Sequence, residues 1–170
     1  MLQINTSKWL HTTILLFVFV AVNCSEWIIE RVQLQEINQN YLKNTSFDLV
    51  SYSRRKRVIN FYTETLETFD NNVTVSNEYE EFMNNEYRPA FVGLRFKLCD
   101  FIEAPYVMIK QKFGIQCPIP PNKYTLYNLT VRWDLVPNYF PFKRGRVITT
   151  YLFTETKEVI AVAAFYTRVL

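Results

Sequence analysis

The feature that most restricts the fold of this chain is a one-for-one alternation of apolar and polar residues, returning in run after run between short polar turns. Side chains of an extended strand point to opposite faces with a period of two, so each run reads as a strand with one buried face. Val58 to Phe69 alternates in this way and is rich in β-branched and aromatic residues, and Val73 to Tyr79 does so after the turn-like Asp70-Asn71-Asn72. Phe91 to Cys99 sets Val92, Leu94, Phe96 and Leu98 on one face, with Leu98 pointing inward. Tyr124 to Trp133 gathers Thr125, Tyr127, Leu129, Val131 and Trp133 on one face and puts Asn128 on the other. Val147 to Phe153 and Val159 to Val169 complete the set, joined by the polar connection Thr154 to Glu158. Six or seven such strands predict an all-β fold, an antiparallel β-sandwich or β-cup of the immunoglobulin-like kind.

One stretch breaks the pattern. Pro105 can open a helix, and Tyr106, Ile109 and Phe113 recur at three and four residues, predicting one short helix near 105–113. The competing reading is an irregular loop. Cys117-Pro118-Ile119-Pro120-Pro121 and Pro137 to Pro141 cannot be central strands, because proline gives no hydrogen bond to the ladder, so both are expected to be rigid extended connectors.

The N-terminus carries a single positive charge in its first eight residues, then an apolar run from Ile14 to Val22, then Asn23-Cys24-Ser25. This reads as a secretory signal peptide over 1–24, cleaved near Cys24 and Ser25, which leaves 25–170 as a single secreted domain. The run is too short to span a hydrocarbon core, which takes about twenty apolar residues, and so is the second apolar run, Val159 to Phe165. No transmembrane segment is expected in the mature chain, and the expected location is extracellular.

Histidine is the residue whose scarcity says most about chemistry. His11 is the only one, and it lies in the leader. Without imidazole, Ser-His-Asp and Cys-His activation of a nucleophile is excluded, and so are most metal sites. Carboxylate chemistry of the glycosidase type stays open in principle, with Glu78, Glu80 and Glu81 as the local acidic cluster, but on one strand such a cluster is more often a solvated face. The expectation is a protein that is not an enzyme and takes no cofactor or metal.

Losing Lys8 with the leader takes the formal charge from +3 to +2, which recruits neither nucleic acid nor anionic membrane in bulk. The basic run Arg54-Arg55-Lys56-Arg57 reads either as a solvated turn or, in a secreted chain, as a convertase cleavage site or polyanion patch. Cleavage after Cys24 leaves Cys99 and Cys117, which an oxidising compartment should join, closing a loop of about eighteen residues worth roughly 3 kcal/mol. Cleavage before Cys24 would instead leave a free thiol or an intermolecular bridge. Asn44, Asn72 and Asn128 head glycosylation acceptor triplets, and Asn5 and Asn23 also match in or beside the leader.

These residues also carry a resemblance. Tyr87-Arg88-Pro89, the run Leu98-Cys99-Asp100-Phe101-Ile102, Cys117-Pro118-Ile119-Pro120 followed by Tyr124 and Asn128, and Pro137 and Pro141 with a glycine leading into a strand pair resemble a fly-expanded insect family of secreted domains of unknown function. That family is similar to the CheA and CheB chemosensory proteins and, more remotely, to the ganglioside activator and ML lipid-recognition domains. The resemblance covers Tyr87 to Leu170 and implies a sandwich or cup with an apolar cavity between its sheets, binding a lipid or hydrocarbon-like ligand without covalent chemistry. The chain departs from the family pattern where Asp100 follows Cys99, where Asn122-Lys123 precede Tyr124, and where Gly145 lies four residues beyond Pro141.

Fourteen phenylalanines and eleven tyrosines supply the apolar surface that a cavity wall requires, although a packed core would use them equally well. The expected wall is Phe96, Leu98, Phe101, Tyr106, Ile109, Phe113, Tyr127, Trp133, Phe140, Phe142, Tyr151 and Phe153, with the segment between the cysteines as a flap. The leading functional expectation is a secreted binding protein that holds a lipid, pheromone or cuticular hydrocarbon, in chemosensation. The alternative is an extracellular interaction module with a filled core, whose partner is a receptor or another extracellular protein.

Overall fold

The computed structural model describes residues 27–54, 56–105, 107–131 and 143–169. The leader with Cys24, together with Arg55, Tyr106, Trp133, Phe140, Phe142 and the connector Pro137 to Pro141, lies outside the described residues. Eight strands and two short helices are found among the described residues: β1 Trp27–Ile37, β2 Leu42–Ser51, β3 Arg57–Thr65, β4 Val73–Met83, β5 Glu86–Lys97, α1 Leu98–Glu103, α2 Ile109–Phe113, β6 Lys123–Leu129, β7 Arg144–Phe153 and β8 Val159–Val169. A five-stranded sheet in the order β1-β8-β7-β4-β5 faces a three-stranded sheet in the order β2-β3-β6, and every pairing is antiparallel. This is the all-β, two-sheet sandwich that the alternation predicts.

The strand order places the connections. β1, β3, β5 and β7 finish at one end of the sandwich, and there the chain crosses between sheets through 38–41, 66–72 and 98–122. At the far end the connections among the described residues are the hairpins at 52–56 and 84–85, and the link from β6 to β7 runs mostly outside the described residues. Asn84 and Asn85 both have positive φ, 51° and 67°, the backbone that a two-residue hairpin needs to match strand twist. The core gathers at the first end, around Leu42, Phe69, Val73, Val75, Leu98, Ile102 and Ile160. The Cys99–Cys117 disulfide, with Cα atoms 5.6 Å apart, ties the longest crossing to itself beside this core.

The helical segment differs from its expected form. The strand stops at Lys97 and α1 begins at Leu98, because Leu98, Phe101 and Ile102 recur at three and four residues and bury together as one helical face. The helix expected at 105–113 is confined to α2, which ends at Gly114, where a φ of +67° closes it with an N–H to Lys110 carbonyl bond of 3.0 Å. Phe69 and Ile119 exchange backbone hydrogen bonds of 2.9 and 2.7 Å, so the proline-rich connector is pinned to the 66–72 crossing.

The two flanks of the sandwich are also unlike. On the β1 side, Arg57 Nη1 donates to the carbonyls of Ile29 and Glu30 at 3.3 and 3.1 Å, tying β3 to β1. On the other side, the edge strands are β5 and β6. Of the basic run, Arg54 and Lys56 are exposed in the hairpin connection while Arg57 makes this tie.

Candidate functional site

Between the sheets lies a cavity of about 500 Å³. Its wall comes from both inner faces: Leu34 of β1, Phe47 of β2, Ile59 and Phe61 of β3, Val75's neighbours Asn77 and Tyr79 of β4, Val147 and Tyr151 of β7, and Ala163 and Phe165 of β8. The volume is within the range of pockets that bury small organic ligands, about 300–1,000 Å³, and the residues lining it are mainly aliphatic and aromatic. Phe47 stacks on Phe61 with centroids 4.7 Å apart and meets Phe165 of the opposite sheet edge-on at 5.7 Å, so the sheets touch through these rings without filling the space beside them. Leu94, on edge strand β5, lines the interior yet is 41% exposed, so the cavity reaches solvent along this flank.

Of the twelve residues expected on the wall, Phe96, Leu98, Phe101, Ile109 and Tyr151 line the cavity. Phe153 packs instead into the floor, against Tyr41 at 4.9 Å and Phe69 at 6.2 Å. Phe113 is half-buried in α2 with Lys112 Nζ 5.5 Å from its ring, away from the lining. Tyr106, Trp133, Phe140 and Phe142 lie outside the described residues.

Tyr127 is placed on the outer face, 54% exposed and edge-on to Tyr62 at 5.8 Å, and the reason is a β-bulge. Leu126 pairs with Phe61 and Leu129 with Ile59, so Tyr127 and Asn128 together oppose the single residue Asn60. Asn128 takes φ 57°, and its N–H donates to Asn60 Oδ1 at 2.9 Å. The extra residue inverts the parity of the strand: Tyr124 and Leu126 face the cavity before it, and Leu129 and Val131 after it. The face expected from alternation is therefore correct only beyond the bulge.

Several wall residues had not been singled out: Trp27, Ile29, Phe47, Phe61, Tyr79 and Phe165. Ile59, Phe61, Thr63 and Thr65 show the signal that was present, an unbroken period of two along β3 whose inner face is the wall.

Charge is nearly absent from the lining. Glu80 and Arg146 alone carry it among the described wall residues, and they pair with each other through Arg146 Nε and Glu80 Oε2. The Glu80 carboxylate holds the Arg146 pKa above its ordinary value, and the guanidinium lies 4.6 Å from the Tyr87 ring. Glu78 opposes Ile148 and Glu80 opposes Arg146, whereas Glu81 opposes Gly145 on the alternate side, so the three acids do not share one face. Tyr151 projects its phenol into the apolar interior, where burial pushes its pKa up to about 12. Asn44, Asn72 and Asn128 are all exposed.

No protein-family model matches the chain, and no curated protein matches it. Among solved structures, chicken MD-1 complexed with lipid IVa aligns with 82% of this chain and 97% of that chain, at 11% identity and a TM-score of 0.37. At that level of likeness nothing is carried from MD-1 to this chain. Among the described residues no helix is long and apolar enough to cross a membrane.

Proposed function

We propose that this chain is a non-enzymatic binding protein that holds an apolar ligand between its two sheets. The observation that carries the reading is the cavity of about 500 Å³ between the inner faces, with aliphatic and aromatic lining and its single charged pair neutralised within the protein. A ligand chain entering it would bind by desolvation, at about 0.8 kcal/mol per buried methylene. Secretion, with a leader ending near Cys24 and a mature domain over 25–170, belongs to the same proposal, as do glycans at the exposed Asn44, Asn72 and Asn128 and a role in carrying lipid, pheromone or cuticular hydrocarbon.

A second reading rests on a different observation. Phe91 stands fully exposed on edge strand β5, an apolar side chain of the kind that an extracellular protein partner or receptor would cover. Native mass spectrometry of the deglycosylated secreted protein, followed by organic extraction, separates the two. A carrier releases about one lipid or hydrocarbon molecule per chain, and affinity for added ligands rises about tenfold for every two methylenes until the cavity is full. A bare chain that also fails to take up fatty probes would contradict the carrier reading and leave the β5 surface as the better lead.

A further inference from the structure

Most polar atoms on the wall are used within the protein. Thr45 and Thr63 share a hydrogen bond of 2.8 Å, Thr65 Oγ1 donates to the Pro120 carbonyl at 3.0 Å, and Tyr124 Oη donates to the same carbonyl at 2.8 Å. Two groups just above the core floor are left over. Asn77 is 8% exposed, and its Oδ1 accepts from Thr149 Oγ1 at 2.7 Å. That bond orients the amide, so that Nδ2 turns its two N–H groups away from Thr149, and among the described residues no acceptor meets them. Tyr151 presents its hydroxyl to the cavity, also without a hydrogen-bond partner among the described residues.

The register brings these two groups together. Asn77 pairs with Thr149 and Val75 with Tyr151 across β4 and β7, so Asn77 and Tyr151 are diagonal neighbours on the inner face, with backbones about 7 Å apart. Both donors open onto the cavity, since Arg57 Nε is the one fully buried side-chain polar atom without a partner among the described residues, and an oxygen arriving between them could accept from both in an apolar surround, where such bonds count for more than in water.

We propose that the cavity selects an uncharged amphiphile, a long-chain alcohol, aldehyde or ester, whose oxygen enters first and accepts hydrogen bonds from Asn77 Nδ2 and Tyr151 Oη. The inference rests on the apolar-ligand reading above and adds the chemical class and the orientation of the ligand. A carboxylate is disfavoured because the described wall offers no unpaired cation, Arg146 being held by Glu80. A plain hydrocarbon fits the volume but leaves both donors unpaired. Burial holds the Tyr151 phenol protonated throughout the neutral range, so that it remains a donor.

The test uses chain-matched dodecanol, dodecane and dodecanoate, each titrated at pH 7 against an uncharged alkyl-coumarin probe on the secreted protein. Dodecanol is expected to bind at least tenfold tighter than either competitor. Tyr151→Phe and Asn77→Leu should each lower the preference for dodecanol over dodecane about tenfold, while Tyr127→Phe, which removes a hydroxyl on the outer face, should leave that preference as in wild type. Thermal melts of each variant establish that it is folded before it is titrated. An equal preference for dodecanol over dodecane in wild type and both inner variants, or tightest binding of dodecanoate, overturns the proposal while leaving the cavity reading intact. Failure of the probe and of all three ligands to bind overturns both.

Discussion

At the end of the sandwich where β1, β3, β5 and β7 finish, three connections cross between the sheets and a disulfide ties the longest; at the far end the described connections are hairpins within a sheet. The two ends hold different things as a consequence. The first holds the buried cluster of Leu42, Phe69, Val73, Val75, Leu98, Ile102 and Ile160, most of which also form the floor of the cavity, and the cavity extends from that floor toward Trp27, Tyr79, Leu129 and Val147. Each crossing brings side chains over the end of the sheets and packs them there, so the number of crossings decides which end becomes core. The comparison teaches that the packed end is both the stabilising core and the floor of the cavity, while the opposite end contributes wall without a comparable buried cluster among the described residues.

The largest expected effect breaks the tied end. Leu98→Ala should cost about 3 kcal/mol, because Leu98 is buried in the core cluster even though one side of it lines the cavity, whereas Leu129→Ala, half-buried and outside that cluster, should cost about 1 kcal/mol. Urea unfolding of the two variants measures this directly, and equal losses would remove the distinction between the ends. A comparable effect is expected at high pH, because Tyr151 sits where floor and cavity meet. Its folded pKa of about 12 exceeds the ordinary tyrosine value of 10.0, so the folded state favours the neutral phenol. Its contribution is complete below pH 10 and is lost as pH rises toward 12, a fall of roughly 3 kcal/mol. Tyr151→Phe should flatten this fall, read as melting temperature against pH, and an unchanged profile would mean that the phenol is hydrated.

A smaller effect than either of these probes the contact of β7 with β4. A Cβ at Gly145 would lie 2.5 Å from the Glu80 carbonyl oxygen, so Gly145→Ala must shift β7 against β4. The expected loss is about 2 kcal/mol, together with weaker ligand uptake, since Gly145 lines the cavity. Calorimetry and probe titration on the same variant decide whether the two changes travel together. Unaltered uptake would detach the cavity from the β4 and β7 backbone.

The fold class was legible in the sequence because one buried face per strand forces a period of two, as along Ile59, Phe61, Thr63 and Thr65. It faded where bulges change the parity. β1 has register shifts at Ile29/Arg31 and Leu34/Glu36, β2 has one between Lys43 and Ser46 with Asn44 at φ 49°, and neither strand was singled out from alternation. Tyr127 was assigned to the wrong face for the same reason, since nothing in the local pattern announces that two residues oppose Asn60. The start of α1 was hidden differently, because Leu98 satisfies both the strand period that precedes it and the helical period that follows. Phe96, Leu98, Phe101, Ile109 and Tyr151 were reached through aromatic content and apolar spacing, but aromatic content alone cannot separate Tyr151, on the wall, from Phe153, in the floor.

The central claim is that the space between the sheets takes up an apolar ligand. Ala163 is 1% exposed on β8 and lines that space, so Ala163→Phe puts a ring into the cavity without disturbing the tied end. The measurement is titration of wild type and Ala163→Phe with an uncharged alkyl-coumarin probe, with melting curves recorded alongside. One saturable site per chain in wild type, lost in a variant that still melts cooperatively, is the predicted result. No saturable site in wild type, or the same site undiminished in Ala163→Phe, would contradict the account.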